Sequence, residues 1–303
     1  MLKIAIQKIG GRLYPDSQKF LENVGFGFTL EPGKLSTKTW DHSAQIFFLR
    51  TPDILTKIEQ GILEIGILGL NLLAEEFTQR KFSPPEIFSQ KTHSQIKPVC
   101  PLEFGKCRLV LAAPKLSKIK KLADFHQKKI ATSYPQLTQT FLRAHKIQPA
   151  KIITLAGSVE IAPESGEADA IADLVESGRT LATHNLQEIH EIFTSQAYLV
   201  ANQKFAQTQQ GQKVLAAIQT RLAALRLATD KKYLMLNCTR ADLPKIEKIL
   251  PAAVSPTVLP LAKKDQFAIH SVASEKEFWQ TLPDLKKAGA RDILLLNVEK
   301  LIY

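Results

Sequence analysis

The stretch "DLVESGRTL", residues 173 to 181, sets one acid, two hydroxyls, a glycine and a cation within Glu176 to Thr180, just after the apolar pair Leu174 and Val175. Such a set can bind an anion. Ser177 and Thr180 offer hydroxyl donors and Arg179 offers charge. Gly178 has no side chain, so a phosphate can approach the backbone closely. Asp173 and Glu176 would repel a phosphate but accept hydrogen bonds from sugar hydroxyls. A phosphate flanked by a diol is a phosphoribosyl group. A plain glycine turn capping a helix uses the same residue types, so the surroundings must decide between the two.

Two flanking elements have to present this set. "ADAIADLV" reads as a strand that stops at Glu176, and "TLATHNLQEI" reads as a helix. Ser177 to Thr180 then lie between a strand end and a helix start, where ligands gather in open α/β sheets. The first N–H groups of a helix lack partners within it and carry partial positive charge, which suits a phosphate. Upstream, the strands "KIAIQ", "QIFFLR", "LEIGILG" and "AKIITLAG" alternate with the helices "PDSQKFLENVG", "PDILTKIEQG" and "QLTQTFLRAH". "CRLVLAAP" and "KIATSY" are strands flanking a further helix, and "SVEIAPESG" is a loop with a short helix. This alternation predicts an α/β architecture with largely parallel strands.

The pattern changes after "SQAYLVAN". A long helix follows, with Val214, Leu215, Ile218, Leu222 and Leu225 at helical spacing. The tail then reads strand "KYLMLNCT", helix "DLPKIEKIL", strand "SPTVLPLA", strand "QFAIHSVAS", helix "EKEFWQTLPDLKKAGA", strand "DILLLNV". That βαββαβ order is the ferredoxin-like pattern.

Composition sets the limits. A chain of 303 residues is long enough for two or three domains, and 45% apolar with 23% charged residues is globular. No run of about 18 apolar residues is present, which predicts no membrane span. "MLKIAIQKIGG" lacks the apolar middle of a signal peptide and is expected to be the first strand of a cytoplasmic protein. Cys100, Cys107 and Cys238 form no CxxC pair and suit buried reduced thiols. The seven histidines show no metal-like spacing. A net charge of +11 fits nucleic acid or a polyphosphate substrate. The lysines of "KLSKIKKLADFHQKK" come with no aromatic ladder or zinc-finger pattern, so a solvated helix face is favoured over a nucleic-acid interface.

Read together, Glu160, Gly166, Ala168, Ile171, Asp173, Leu174, Ser177, Gly178, Thr180 and Leu181 are spaced as in the signature of the ATP phosphoribosyltransferase family, which this chain resembles. "QKIGGRL" resembles the family's Q-K-S-G-R-L loop, "RTPDI" a segment with the same Arg50 and Asp53, and "EIGILGLN" its D-x-G-I-x-G turn. "GKCRLVLAAP", "ATSYP", "GSVEIAP" and "SPTVLPL" also fit, so the resemblance covers essentially the whole chain and is to the long form with its own regulatory domain. There are departures: the first loop is one residue longer, with Ile9 where serine is usual. Glu64 replaces an aspartate, and Leu70 stands where relatives often carry an acidic or polar residue.

The resemblance implies a bilobed catalytic part like type II periplasmic binding proteins. Lobe I would be residues 1–98 completed by 184–225, lobe II residues 99–183, and the regulatory domain residues 226–303. It implies transfer of phosphoribosyl from phosphoribosyl pyrophosphate to N1 of ATP, the first step of histidine biosynthesis. Such a reaction needs two aligned polyanions rather than a covalent nucleophile. Ser177, Gly178, Arg179, Thr180 and Leu181 would hold the donor's 5-phosphate, with Asp173 and Glu176 facing the ribose. Asp173 and Glu160 are the catalytic candidates, Glu160 either orienting the loop or contacting substrate. Gln7, Lys8, Arg12, Arg50, Gly69 and Tyr134 are candidates for ATP or pyrophosphate. Surface salt bridges are the competing role for the cations, and a packed core tyrosine for Tyr134. Mg2+ is the implied cofactor, bound chiefly through pyrophosphate and water. Histidine is the implied inhibitor, near Thr257 and Ser271, and the implied assembly is a homo-oligomer, dimer to hexamer. The competing function is a bilobed small-molecule binding protein without catalysis.

Overall fold

A computed structural model describes residues 1–79, 95–250 and 255–302. The chain forms two compact units, Met1–Leu215 and Ala216–Tyr303. The first holds two sheets. One contains β1 (Leu2–Gln7), β2 (Ser36–Lys38), β3 (Ala44–Leu49), β4 (Ile65–Gly69), β5 (Ile96–Pro101) and β11 (Ala197–Asn202), in the order β2-β3-β1-β4-β11-β5. The other contains β6 (Cys107–Pro114), β7 (Lys129–Thr132), β8 (Lys151–Thr154), β9 (Ala170–Val175) and β10 (Leu186–Ser195), in the order β10-β6-β9-β7-β8. Around them pack α1 (Tyr14–Asn23), α2 (Thr51–Glu59), α3 (Leu70–Gln79), α4 (Pro135–Ala144), the single turn α5 (Arg179–Thr183) and α6 (Gln203–Gln207). A shared apolar cluster joins Ile54, Leu68 and Phe77 from the first lobe to Leu109, Phe125 and Leu137 from the second.

The strands are mixed rather than largely parallel. β1 pairs in parallel with β3 and β4, as β7 does with β8 and β9. β11 runs antiparallel to β4 and β5, and β6 antiparallel to β9 and β10. These antiparallel strands carry the chain between the sheets, outward through β5 and β6 and back through β10 and β11. The segment after α5 is also a strand, not the expected helix. Its register shifts between Glu188 and His190 and again between Glu191 and Phe193. Each bulge adds a residue to the alternation, so Leu186, Ile189 and Ile192 fall three apart and mimic a helical period. The chain returns to the first sheet at Gln196, between β10 and β11. The lysine-rich segment, expected to be helical, forms only a 3-10 turn at Leu122–Phe125.

The helix α7 (Gln209–Ala228) spans the boundary between the units. The second unit is βαββαβ as read from the sequence: β12 (Lys231–Thr239), α8 (Leu243–Ile249), β13 (Thr257–Pro260), β14 (Gln266–Ser274), α9 (Glu275–Lys287) and β15 (Arg291–Asn297). Its sheet order is β13-β14-β12-β15. Leu234, Leu236, Ile269, Phe278 and Leu285 form the core under the helices. Ser274 and Glu277 start α9 with a capping box.

Candidate active site

The buried strand β9 ends at Val175, and the chain turns at Gly178 with φ +77°. That left-handed conformation is strained for any residue with a side chain. A Cβ on Gly178 would meet no protein atom within 4 Å, so it would project into open space. Gly178 also lines a pocket of about 210 Å³, bordered by Asp173 through Leu181 with Arg12 and Cys107. Ser177, Arg179 and Thr180 are exposed at its rim, while Leu181 is buried and packs with Val175 and Leu186. Leu181 thus anchors the loop. Because α5 is one turn long, its unpaired N–H groups matter more here than a helix dipole.

Asp173 sits in β9 with its carboxylate accepting from the Leu174 N–H at 2.8 Å. Burial pushes its pKa up to about 6, and the nearby charge of Glu160 adds to the rise. Glu160 lies on the 3-10 turn Val159–Ile161 and does not line the pocket, so it reaches the site through Asp173.

A second cavity of about 580 Å³ lies between the two sheets of the first unit, lined by Gln7, Arg12, Thr51, Gly69, Asn71, Tyr134 and Leu174 among others. Arg12 and Leu174 line both cavities. Arg12 comes from the loop after β1 and donates to the Gly105 carbonyl at 2.9 Å, which holds it at the crossing between the lobes. Gln7 is spent on local structure: its amide donates to Thr51 Oγ1 at 3.0 Å and accepts from the Leu13 N–H at 2.7 Å. Tyr134 precedes α4 and accepts from Asn71 Nδ2 at 2.8 Å, and burial pushes its pKa up to about 12. A Cβ on Gly69 would collide with Asn71 Oδ1. Lys8 and Arg50 are exposed at the ends of β1 and β3 and do not line either cavity. Thr51, Asn71 and Cys107 line these cavities without having been singled out in the sequence. Each lies in a segment quoted above: Thr51 in "RTPDI", Asn71 in "EIGILGLN" and Cys107 in "GKCRLVLAAP".

In the second unit, Thr257 lies opposite His270 in β14, and Ser271 lies opposite Leu234 in β12. Directly opposed residues share a face and neighbours alternate. Thr257 therefore lies with His270 on the face away from the helices, and Ser271 on the covered face. His270 Nδ1 is 2.5 Å from the Tyr233 hydroxyl. Among the described residues no cluster of three His, Cys, Asp or Glu side chains could hold a metal, and no helix is long and apolar enough to cross a membrane.

A family model described as ATP phosphoribosyltransferase matches residues 50–224, and one described as HisG, C-terminal domain, matches residues 228–300. An ATP phosphoribosyltransferase of Azobacteroides pseudotrichonymphae is 38% identical over 302 residues, 100% of both chains. One of Bacteroides fragilis is 35% identical over 302 residues, again 100% of both. Among solved structures, an ATP phosphoribosyl transferase (HisG:HisZ) complex from Thermotoga maritima aligns with a TM-score of 0.57 at 28% identity, covering 74% of this chain and 96% of that one. The structure of Tv2483 bound to L-arginine aligns at a TM-score of 0.51 and 13% identity, over 75% of this chain and 85% of its own, a likeness of fold alone.

Proposed function

The chain belongs to the ATP phosphoribosyltransferase family, and from that premise we propose that the pocket at residues 173–181 holds the phosphoribosyl donor while the cleft beside Tyr134 receives ATP. The enzyme transfers the phosphoribosyl group of phosphoribosyl pyrophosphate to N1 of ATP and releases pyrophosphate, the first step of histidine biosynthesis. Family membership favours this over a bilobed binding protein without catalysis.

The observation that carries the site assignment is the shared lining. Arg12 and Leu174 border both cavities, so two substrates filling them would meet there. Adenine N1 offers its lone pair to C1 of the ribose as the bond from C1 to pyrophosphate breaks, and the pyrophosphate leaves with that electron pair. Positive charge builds on the ribose and negative charge on the leaving group. The backbone and hydroxyls of Ser177 to Thr180 hold the 5-phosphate. Asp173, ionised, accepts from the ribose hydroxyls and sits beside the developing positive charge. Arg12 neutralises the pyrophosphate. Lys8 and Arg50, exposed on the same lobe, add field rather than contacts. Glu160 acts by modulating Asp173.

Magnesium fits this donor set, because Asp173, Glu176 and the pyrophosphate supply hard oxygens. When bound it would neutralise leaving-group charge.

The tail is proposed as the histidine-responsive part, with Thr257, His270 and Tyr233 together on one sheet face. Leu294 and Leu296 are exposed on that face at 48% and 53%, an apolar surface that suits self-association into dimers and hexamers. Use of ATP fits a cytoplasmic setting.

Calorimetric titration of phosphoribosyl pyrophosphate tests the donor pocket. Gly178→Val should abolish measurable binding while the protein melts cooperatively. Binding at wild-type affinity would refute the assignment.

A further inference from the structure

Asn71, the second residue of α3, is buried at the seam between the two lobes. Its backbone N–H donates to Ser195 Oγ at 2.9 Å, and the Ser195 hydroxyl donates back to Asn71 Oδ1 at 2.9 Å. Its amide nitrogen donates to the Tyr134 hydroxyl at 2.8 Å. Four residues further along the same helix, and so on the same side, the Glu75 carboxylate accepts from the Gln136 N–H at 2.7 Å and the Leu137 N–H at 2.9 Å. These are first-turn donors of α4, which have no partners within that helix. Burial pushes the Glu75 carboxyl up even though both N–H groups favour its charge. Helix α3 follows β4 of the first sheet, and α4 follows β7 of the second. The first lobe thus grips the second at Ser195, at the Tyr134 hydroxyl and at the Gln136 and Leu137 N–H groups.

We propose that Asn71 and Glu75 are positioning residues that clamp Tyr134 and the start of α4 against α3, and thereby set the wall of the cleft that receives the adenine of ATP. This rests on the reading of that cleft as the ATP side. Neither residue lines the pocket of the 173–181 loop, so the clamp acts on the acceptor and leaves the donor alone. Gly69 belongs to the same device, since only glycine leaves room there for the Asn71 side chain.

The test uses the full-length enzyme with Tyr134→Phe, Asn71→Ala and the double variant, measuring KM for ATP and for phosphoribosyl pyrophosphate separately. Tyr134→Phe keeps the ring and removes only the acceptor, so it carries the test even if Asn71→Ala folds poorly. Each single change should raise KM for ATP by about 3- to 10-fold, with the donor KM unchanged. The double variant should be no worse than Asn71→Ala, because the two residues share one bond. Asn71→Asp should restore the ATP KM, since a carboxylate can accept from both Ser195 and Tyr134. Glu75→Gln should raise the same KM by losing one acceptor. Equal rises in both KM values, additive effects, or an unmoved ATP KM in Tyr134→Phe would overturn the clamp. In that last case, a raised ATP KM in Tyr134→Ala would leave the cleft assignment standing. An ATP KM that Tyr134→Ala also leaves unmoved would overturn the cleft assignment and the clamp together.

Discussion

Arg12 and Asp173 come from different lobes and line the same pocket of about 210 Å³. The cation sits on the loop after β1 and the acid in β9. A donor with pyrophosphate at one end of its ribose ring and hydroxyls along its edge needs this opposition of charge. On the proposed placement of the donor, neither lobe alone would suffice.

Asp173 should make the enzyme's stability fall as pH rises. Folding raises its pKa from the ordinary 3.8 to about 6, so the folded state binds the proton more tightly than the unfolded one. Its relative stabilisation is complete below the unfolded pKa and is lost as pH climbs through the folded one, a window of about pH 4 to 6. Asp173→Asn should therefore be more stable at neutral pH, by about 1–3 kcal/mol. Urea midpoints at both ends of the window measure this, and a destabilised variant would contradict it.

The same acid predicts the acid limb of activity. Protonated Asp173 accepts less well from ribose hydroxyls, so the donor KM should rise as pH falls below about 6. A pH profile of the donor KM, flat in Asp173→Asn, checks this.

Basic residues should matter by place rather than by number. Arg12→Ala removes a charge that lines both cavities and should cost about 10- to 100-fold in kcat/KM. Lys8→Ala and Arg50→Ala should raise KM for ATP or donor by smaller factors. Replacing Lys120 and Lys121 together, which flank the 3-10 turn and line neither cavity, should leave the kinetics unchanged. The opposite ranking would move the site.

Histidine should inhibit the full chain, and Thr257→Ala should weaken that response with turnover intact. Inhibition needs tighter binding to a less active arrangement, and a tenfold loss of activity needs a coupling of about 1.4 kcal/mol. A chain ending near Ala228 should lose the response altogether. Initial rates against rising histidine decide. Equal inhibition with and without the tail would sink the regulatory role and leave the catalytic one standing.

The loop after β9 and its place at a strand end were legible because the residues that make them are local. Hydroxyls, glycine and acid lie within "DLVESGRT", between a strand and a turn that composition reveals. The tail was legible because each element keeps a clean period. Strand β10 was not, since two bulges turned its alternation into a helix-like spacing. The clamp was invisible for another reason. Asn71 and Tyr134 are 63 residues apart, and Asn71 and Ser195 are 124 apart, so only the folded chain brings them together. Gln7 does two things at once: it lines the cleft, as its motif position suggested, and its amide shapes the loop through Thr51 and Leu13.

The most direct measurement is the absorbance-monitored formation of phosphoribosyl-ATP from ATP and phosphoribosyl pyrophosphate, in wild type and Thr180→Ala. A hydroxyl bond to a charged phosphate contributes about 1.5–3 kcal/mol, so the folded variant should lose about 10- to 150-fold in kcat/KM for the donor. Unchanged kinetics in Thr180→Ala, with wild type turning over, would contradict the placement of the donor phosphate on this loop.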